Sequence, residues 1–224
     1  MIDARTFANR YTAFWSMFTP TCEHFIRRLN IQMYERIDPP LPDFSSGYRA
    51  FIAEFAFSLF VLDLRSSREE RNEEEMRKRA EVDARKKLGG FEDHRVRIPV
   101  KLDDLEFSEV LKISNRLSSF FDCRNQLCIT KPLFSGCGFV DHSEGDVIRQ
   151  NTLFEVKTVD RPFRSSDVKQ LLVYCALNAS SKQYFIDRVG AYNPRRGIAF
   201  EMDIEYLVSE VAGRSAADLF DQIC

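Results

Sequence analysis

The residues of this chain best suited to chemistry are two carboxylates and a lysine: Asp146, Glu155 and Lys157. Gln150-Asn151 has the composition of a tight hairpin turn. A two-residue turn there pairs Arg149 with Thr152, Ile148 with Leu153, Val147 with Phe154 and Asp146 with Glu155. Directly opposed side chains share one face of a sheet about 5 Å apart at Cβ, and two like charges so placed repel unless something neutralises them. A divalent cation would do so. Lys157 lies two residues beyond Glu155, so strand alternation returns it to the same face. Oxygen ligands for a hard cation, with a positive group near an attacking water and a phosphate, are what phosphodiester hydrolysis requires. Leu153, Phe154 and Val156 are apolar and suit a strand buried on its other side.

The next segment adds polar groups in register. Ser165-Ser166-Asp167 offers helix caps before the apolar run Val168 to Leu177. Helical spacing then puts Gln170 and Tyr174 on one face, one turn apart. Asp146-Val-Ile, a turn, and Leu153-Phe-Glu-Val-Lys-Thr158 together resemble the core of the PD-(D/E)XK nuclease superfamily. Gln170-Leu-Leu-Val-Tyr174 is similar to the Gln-x-x-x-Tyr element of its RecB-like exonuclease branch.

That resemblance covers about Leu105 to Met202. It implies an α/β fold: a restriction-endonuclease-like core, with a mixed central sheet flanked by helices, carrying an N-terminal helical extension. By the same resemblance, Asp146 and Glu155 bind Mg2+ or Mn2+, the Val156 carbonyl adds a ligand, and Lys157 positions or activates the water. Gln170 and Tyr174 orient the group. An acid from the helix before the sheet often joins in such proteins; Glu109 is the candidate, with Glu106 on nearly the same face. Asp141, in Gly138-Phe-Val-Asp141, competes with Asp146 for the upstream acid. Hairpin register favours Asp146, whereas a longer turn would favour Asp141 or bring in Glu144. His142 reads as a surface or structural histidine. Asp167-Val-Lys169 repeats the acid-x-Lys triplet at a helix start, without an upstream hairpin acid, and reads as a decoy.

Charge narrows the partner. The chain carries a formal charge of −2 with a pI near 6.0, which excludes a uniformly basic nucleic-acid coat. Between Lys157 and Gly197, however, eight Lys or Arg face three Asp. Arg161, Arg164, Lys169, Arg195 and Arg196 are the expected contacts to a phosphate backbone.

The flanking elements read as follows. Apolar residues recur at helical spacing from Ala4 to Met33, interrupted at Pro20, which predicts two short helices. Asp38-Pro-Pro-Leu-Pro-Asp43 stops the helical pattern. Ser45-Ser46-Gly47 can start the next helix, which is apolar on nearly every side from Phe51 to Phe60. Residues 65–88 form a solvated, charged helix, with acid-to-base pairs four apart (Glu73/Arg77, Glu74/Lys78, Glu75/Arg79, Glu81/Arg85, Asp83/Lys87) and one apolar line, Met76, Ala80, Ala84 and Leu88. A short extended piece spans Val96 to Val100, and a helix is expected over Leu105 to Phe121. Short strands then form an antiparallel meander, another strand runs over Tyr184 to Tyr192 and one over Ile198 to Met202, and a single helix over Ile204 to Ile223 closes the chain. Residues 1–100 thus read as a helical region and 101–224 as the nuclease core.

The phenylalanine-rich N-terminal helices and the charged helix are the surfaces on which a second copy or a partner protein would dock. No apolar stretch approaches a membrane span, and no leader pattern is evident, so the cytoplasm is expected, with the six cysteines reduced. Cys123, Cys128 and Cys137 lack the spacing of an iron–sulfur or zinc site. The leading expectation is a metal-dependent nuclease acting on DNA, or on structured RNA such as tRNA, in bacterial restriction or anti-phage defence. The alternative from another class is an inactive nucleic-acid-binding or scaffolding subunit of a nuclease complex.

Overall fold

The computed structural model describes residues 2–42, 47–66, 72–90 and 97–224. The expected helix start at Ser45-Ser46, residues 67–71 of the charged segment, and Val96 lie outside the described residues. In chain order the elements are α1 (Ala4–Arg10), α2 (Thr12–Phe18), α3 (Cys22–Arg28) running into a π-helical turn (Leu29–Met33), β1 (Glu35–Arg36), α4 (Arg49–Arg65), α5 (Glu73–Gly89) and α6 (Asp104–Phe121). They continue as β2 (Cys128–Thr130), β3 (Leu133–Phe134), β4 (Ser143–Glu144), β5 (Val147–Arg149), β6 (Thr152–Val156), α7 (Ser165–Ser181), β7 (Arg188–Asn193), β8 (Ile198–Asp203), α8 (Ile204–Ala212) and α9 (Ala216–Ile223).

The chain divides into two compact units, and not at residue 100. The first comprises residues 1–38, 128–193 and 197–224; the second, residues 39–127 and 194–196. The N-terminal segment joins the first unit because β1 adds to the sheet edge beside β8, with Glu35 opposite Ala199, and because α1 packs on α7.

The first unit is α/β, built on a mixed six-stranded sheet of order β1-β8-β7-β6-β5-β2. Only β6 and β7 run parallel. Parallel neighbours need a long crossover, and α7 provides it. Val168, Leu171, Leu172, Val173, Ala176 and Leu177 bury nearly the whole circumference of that helix, as befits one covered by α1, α3 and α9 as well as by the sheet. The antiparallel meander is realised as β2-β5-β6, but β3 and β4 leave it to pair with each other as a separate ribbon. The expected C-terminal helix is two, because the chain turns at Gly213, whose φ of +64° suits glycine. Tyr184 does not start a strand: its N–H and C=O both bond to the Asn178 side chain, and β7 begins at Arg188.

The second unit holds α4, α5 and α6, with Phe55 against Phe107 and Phe60 against Phe121 at ring separations of 5.9 and 5.8 Å. The stripe on α5 buries Ala80, Ala84 and Leu88. Three of the five expected ion pairs form: Glu74–Lys78, Glu75–Arg79 and Glu81–Arg85. Arg77 instead lies 3.5 Å over the Phe107 ring and Lys87 reaches Glu54. Both alternatives remove apolar or charged surface from water, which an exposed i,i+4 pair does not.

Four cysteines depart from the expected reduced state: Cys123, Cys128, Cys137 and Cys224 are disulfide-bonded, and Cys137 pairs with Cys224 with Cα atoms 5.2 Å apart. Cys22 and Cys175 are free and buried. Among the described residues no helix is long and apolar enough to cross a membrane.

Gly190 on β7 is a packing requirement, since a Cβ there would meet Phe200 O at 2.5 Å and Phe154 Cε1 at 2.6 Å. Gly190→Ala is expected to lower unfolding free energy by about 1–3 kcal/mol, the cost of overpacking a close-fitted core. Urea titration checks this, and an unchanged midpoint would contradict the fit described.

Candidate active site

The β5–β6 hairpin has the register read from the sequence: Arg149 opposite Thr152, Ile148 opposite Leu153, Val147 opposite Phe154. Gln150 takes a positive φ of 56° in the two-residue turn. Extending that register brings Asp146 to Glu155, and the Asp146 Oδ2 accepts a 2.7 Å hydrogen bond from the Val156 N–H. Val156 therefore enters the site through its N–H. Asp141 lies elsewhere, with its carboxylate 2.9 Å from the exposed His142 ring. Glu144 is exposed, and only its carbonyl reaches the site.

Lys157 is the hub. Its ammonium donates to Glu155 Oε1 at 2.7 Å and to Gln170 Oε1 at 3.0 Å, and stands 3.7 Å from Asp167 Oδ1. The Gln170 amide passes the connection on, with Nε2 donating to the Tyr174 hydroxyl at 2.7 Å and that hydroxyl donating to the Glu144 carbonyl at 3.0 Å. One continuous chain of bonds thus ties β6, α7 and β4 together. Burial alone would push the Lys157 ammonium down, but the Glu155 and Asp167 charges and the Glu155 hydrogen bond outweigh it, and the net direction is up from 10.5. Lys157 is a cation at neutral pH. Burial also pushes the Tyr174 phenol well above 10.0, with the Glu155 and Asp146 charges acting in the same direction, so Tyr174 stays a donor.

Asp167, which the sequence presents as a decoy, belongs to this site. It is buried and accepts from Arg161 through both oxygens, at 2.7 and 3.0 Å, and from the Arg164 N–H at 2.9 Å. The last bond caps α7, so the helix start that made the triplet look irrelevant is what delivers the carboxylate. Burial raises its pKa, but Arg161, Lys157 and the Arg164 N–H outweigh this, and the net direction is down from 3.8.

The other expected contacts are distributed differently. Arg164 is exposed at the N-cap of α7. Lys169 is half-buried, its ammonium 5.9 Å from the Trp15 ring centre. Arg196 is half-buried in the second unit. Arg195 is fully buried in that unit and ion-paired with Glu109, also buried. Desolvation forces this mutual neutralisation, so Arg195 is corrected from an exposed phosphate contact to a buried structural cation. Glu106 is engaged in the capping box of α6, its carboxylate accepting from the Asp103 N–H at 3.0 Å.

Do these residues suit a divalent metal? Among the described residues no group of three or more His, Cys, Asp or Glu side chains could hold one. A metal here would rest on two carboxylates, which is how Mg2+ is commonly held, the remaining positions going to water and substrate oxygens. Glu155 Oε2 is buried without a hydrogen-bond partner, an arrangement that costs free energy unless a cation or donor completes it. The donor set and that orphaned oxygen fit a hard cation. Compared with protein families, curated proteins and solved structures, the chain matches none of them.

The Asp167 contacts predict an acid-labile contribution to stability. A carboxyl whose folded pKa is depressed stabilises the fold above its unfolded value, near 3.8, and loses that contribution as pH falls through the lower folded value. Asp167→Asn is expected to cost about 1.5–3 kcal/mol at pH 7, with a smaller further loss than wild type below about pH 4. Urea midpoints measured from pH 7 down to pH 2 check this; parallel curves would contradict it.

Proposed function

We propose that this protein is a metal-dependent nuclease with a PD-(D/E)XK-type site on a restriction-endonuclease-like core, hydrolysing phosphodiester bonds of DNA or of structured RNA. The observation carrying the reading is the buried Glu155–Lys157–Gln170–Tyr174 chain beside Asp146, with one Glu155 oxygen left unsatisfied. Asp146, Glu155 and Lys157, picked out by register and alternation, and Gln170 and Tyr174, picked out by the resemblance, are found in one hydrogen-bonded cluster or directly beside it, which ordinary surface charges on a strand end would not produce.

In this reading Asp146 and Glu155 hold the metal. When bound, it would polarise the phosphate and acidify a water molecule. The Lys157 ammonium then holds the attacking water or a phosphate oxygen by charge. Gln170 accepts one ammonium hydrogen and so fixes the direction of the remaining one. Tyr174, kept protonated by burial and its acidic neighbours, orients the Gln170 amide. The resemblance in Asp146–Thr158 and Gln170–Tyr174 also supports a setting in bacterial restriction or anti-phage defence.

The test is incubation of purified protein with plasmid, linear duplex, single-stranded DNA and total tRNA in Mg2+, Mn2+ or EDTA. Cleavage is expected with metal and not with EDTA. Lys157→Ala should lower kcat by about 10²–10³-fold, the scale of removing one electrostatic stabiliser. Glu155→Ala should abolish calorimetric Mn2+ binding while the protein remains folded. Failure of every substrate in both metals, or Mn2+ affinity untouched in Glu155→Ala, would sink the reading.

A further inference from the structure

Arg161 and Lys157 crowd the same carboxylate. Asp167 Oδ1 is 3.0 Å from the Arg161 guanidinium and 3.7 Å from the Lys157 ammonium. Two cations this close repel, and a buried acid between them offsets the repulsion. The exposures differ in a telling way: the side chain of Asp167 is 3% accessible, while those of Arg161 and Lys157 keep 24% and 15%. An anion approaching from solvent therefore meets the two cations, with the acid behind them.

The guanidinium is also used asymmetrically. Asp167 takes the end formed by NH1 and NH2, and NH1 additionally donates to the Pro162 carbonyl at 2.9 Å. On the edge formed by Nε and NH2, Nε has no hydrogen-bond partner among the described residues, and NH2, which gives one hydrogen to Asp167, keeps its second. That edge is the guanidinium's second bidentate face, matched in geometry to two oxygens of a phosphate.

We propose that Asp167 is a positioning residue that locks Arg161 beside Lys157, giving the site a paired-cation seat for one backbone phosphate of a nucleic-acid strand. This rests on the nuclease reading for its ligand, yet it concerns binding, which can be measured without turnover.

The experiment is fluorescence anisotropy with fluorescein-labelled single-stranded and duplex DNA in EDTA, where the metal is withheld. Arg161→Gln is expected to weaken binding about tenfold, the scale of one charge-assisted contact. Asp167→Asn should weaken it comparably although it removes a negative charge, and the double variant should bind no more weakly than Arg161→Gln alone. Asp167→Glu should recover most of the affinity. Wild-type affinity in folded Asp167→Asn, or losses that add in the double variant, would overturn the proposal, as would absence of binding by the wild type. Should Asp167→Asn not fold, Arg161→Lys decides: it keeps the charge and loses the fork, so it must bind several-fold more weakly, and unchanged affinity overturns the seat. Coupled binding without cleavage in Mg2+ would remove the nuclease reading and leave the seat standing. Cleavage with uncoupled binding would do the reverse.

Discussion

An ammonium group withdrawn from water must be surrounded by acceptors, and the first unit is organised around meeting that demand for Lys157. Its three partners come from two elements: Glu155 from β6, which ends just before Lys157, and Gln170 and Asp167 from the crossover helix α7. The strand and the helix are thus held in mutual register by charge as well as by the apolar contacts of Leu153, Leu171 and Leu172. The parallel pairing of β6 with β7 sets where α7 can run. Small residues on β7, Gly190 and Ala191, stand opposite Phe154 and Glu155, so the ring and the carboxylate can occupy opposite faces of the sheet.

What could be read in advance was local. A two-residue turn determines cross-strand pairs by counting, and alternation puts Glu155 and Lys157 on one face; helical spacing does the same for Gln170 and Tyr174. Each inference spans fewer than a dozen residues. Asp167 escaped because it was judged by its own triplet, as a helix-start acid three residues before Gln170. Its partners, Arg161 and Lys157, lie on the far side of a loop whose path the sequence pattern does not specify. Arg195 and Glu109 escaped for a related reason: their pairing joins positions 86 residues apart, and nothing in either local segment marks its partner.

The N-terminal segment was legible as helical, though as two helices where three and a π-helical turn form, and not as a member of the sheet unit. Periodicity reports which face is apolar, and it does not report what covers that face. Phe7 sits at the centre of rings contributed by Tyr11, Phe14, Trp15 and Phe139, all at about 5 Å, and the Trp15 indole donates to the Phe7 carbonyl at 2.9 Å. Phe139 enters this cluster from a turn more than a hundred residues away in sequence. The Ala4 N–H bonding to the Ser143 hydroxyl places the first helix one residue from the carbonyl that receives Tyr174. Of these rings, Phe7 and Trp15 are buried as internal packing, whereas Tyr11 and Phe139 remain exposed at its edge.

The bond between Cys137 and Cys224 closes a ring of chain with a sequence separation of 87. Every side chain assigned to chemistry or to phosphate holding in the first unit, from Asp146 through Tyr174, lies inside that ring. Tethering its two ends removes about 4–5 kcal/mol of chain entropy from the unfolded state in the simple loop-closure treatment. Joining these thiols therefore limits how far the part of the chain that carries the candidate site can stray once it melts. Thiol oxidation thereby sets how readily the assembled carboxylates and cations are regained after a transient loss of structure.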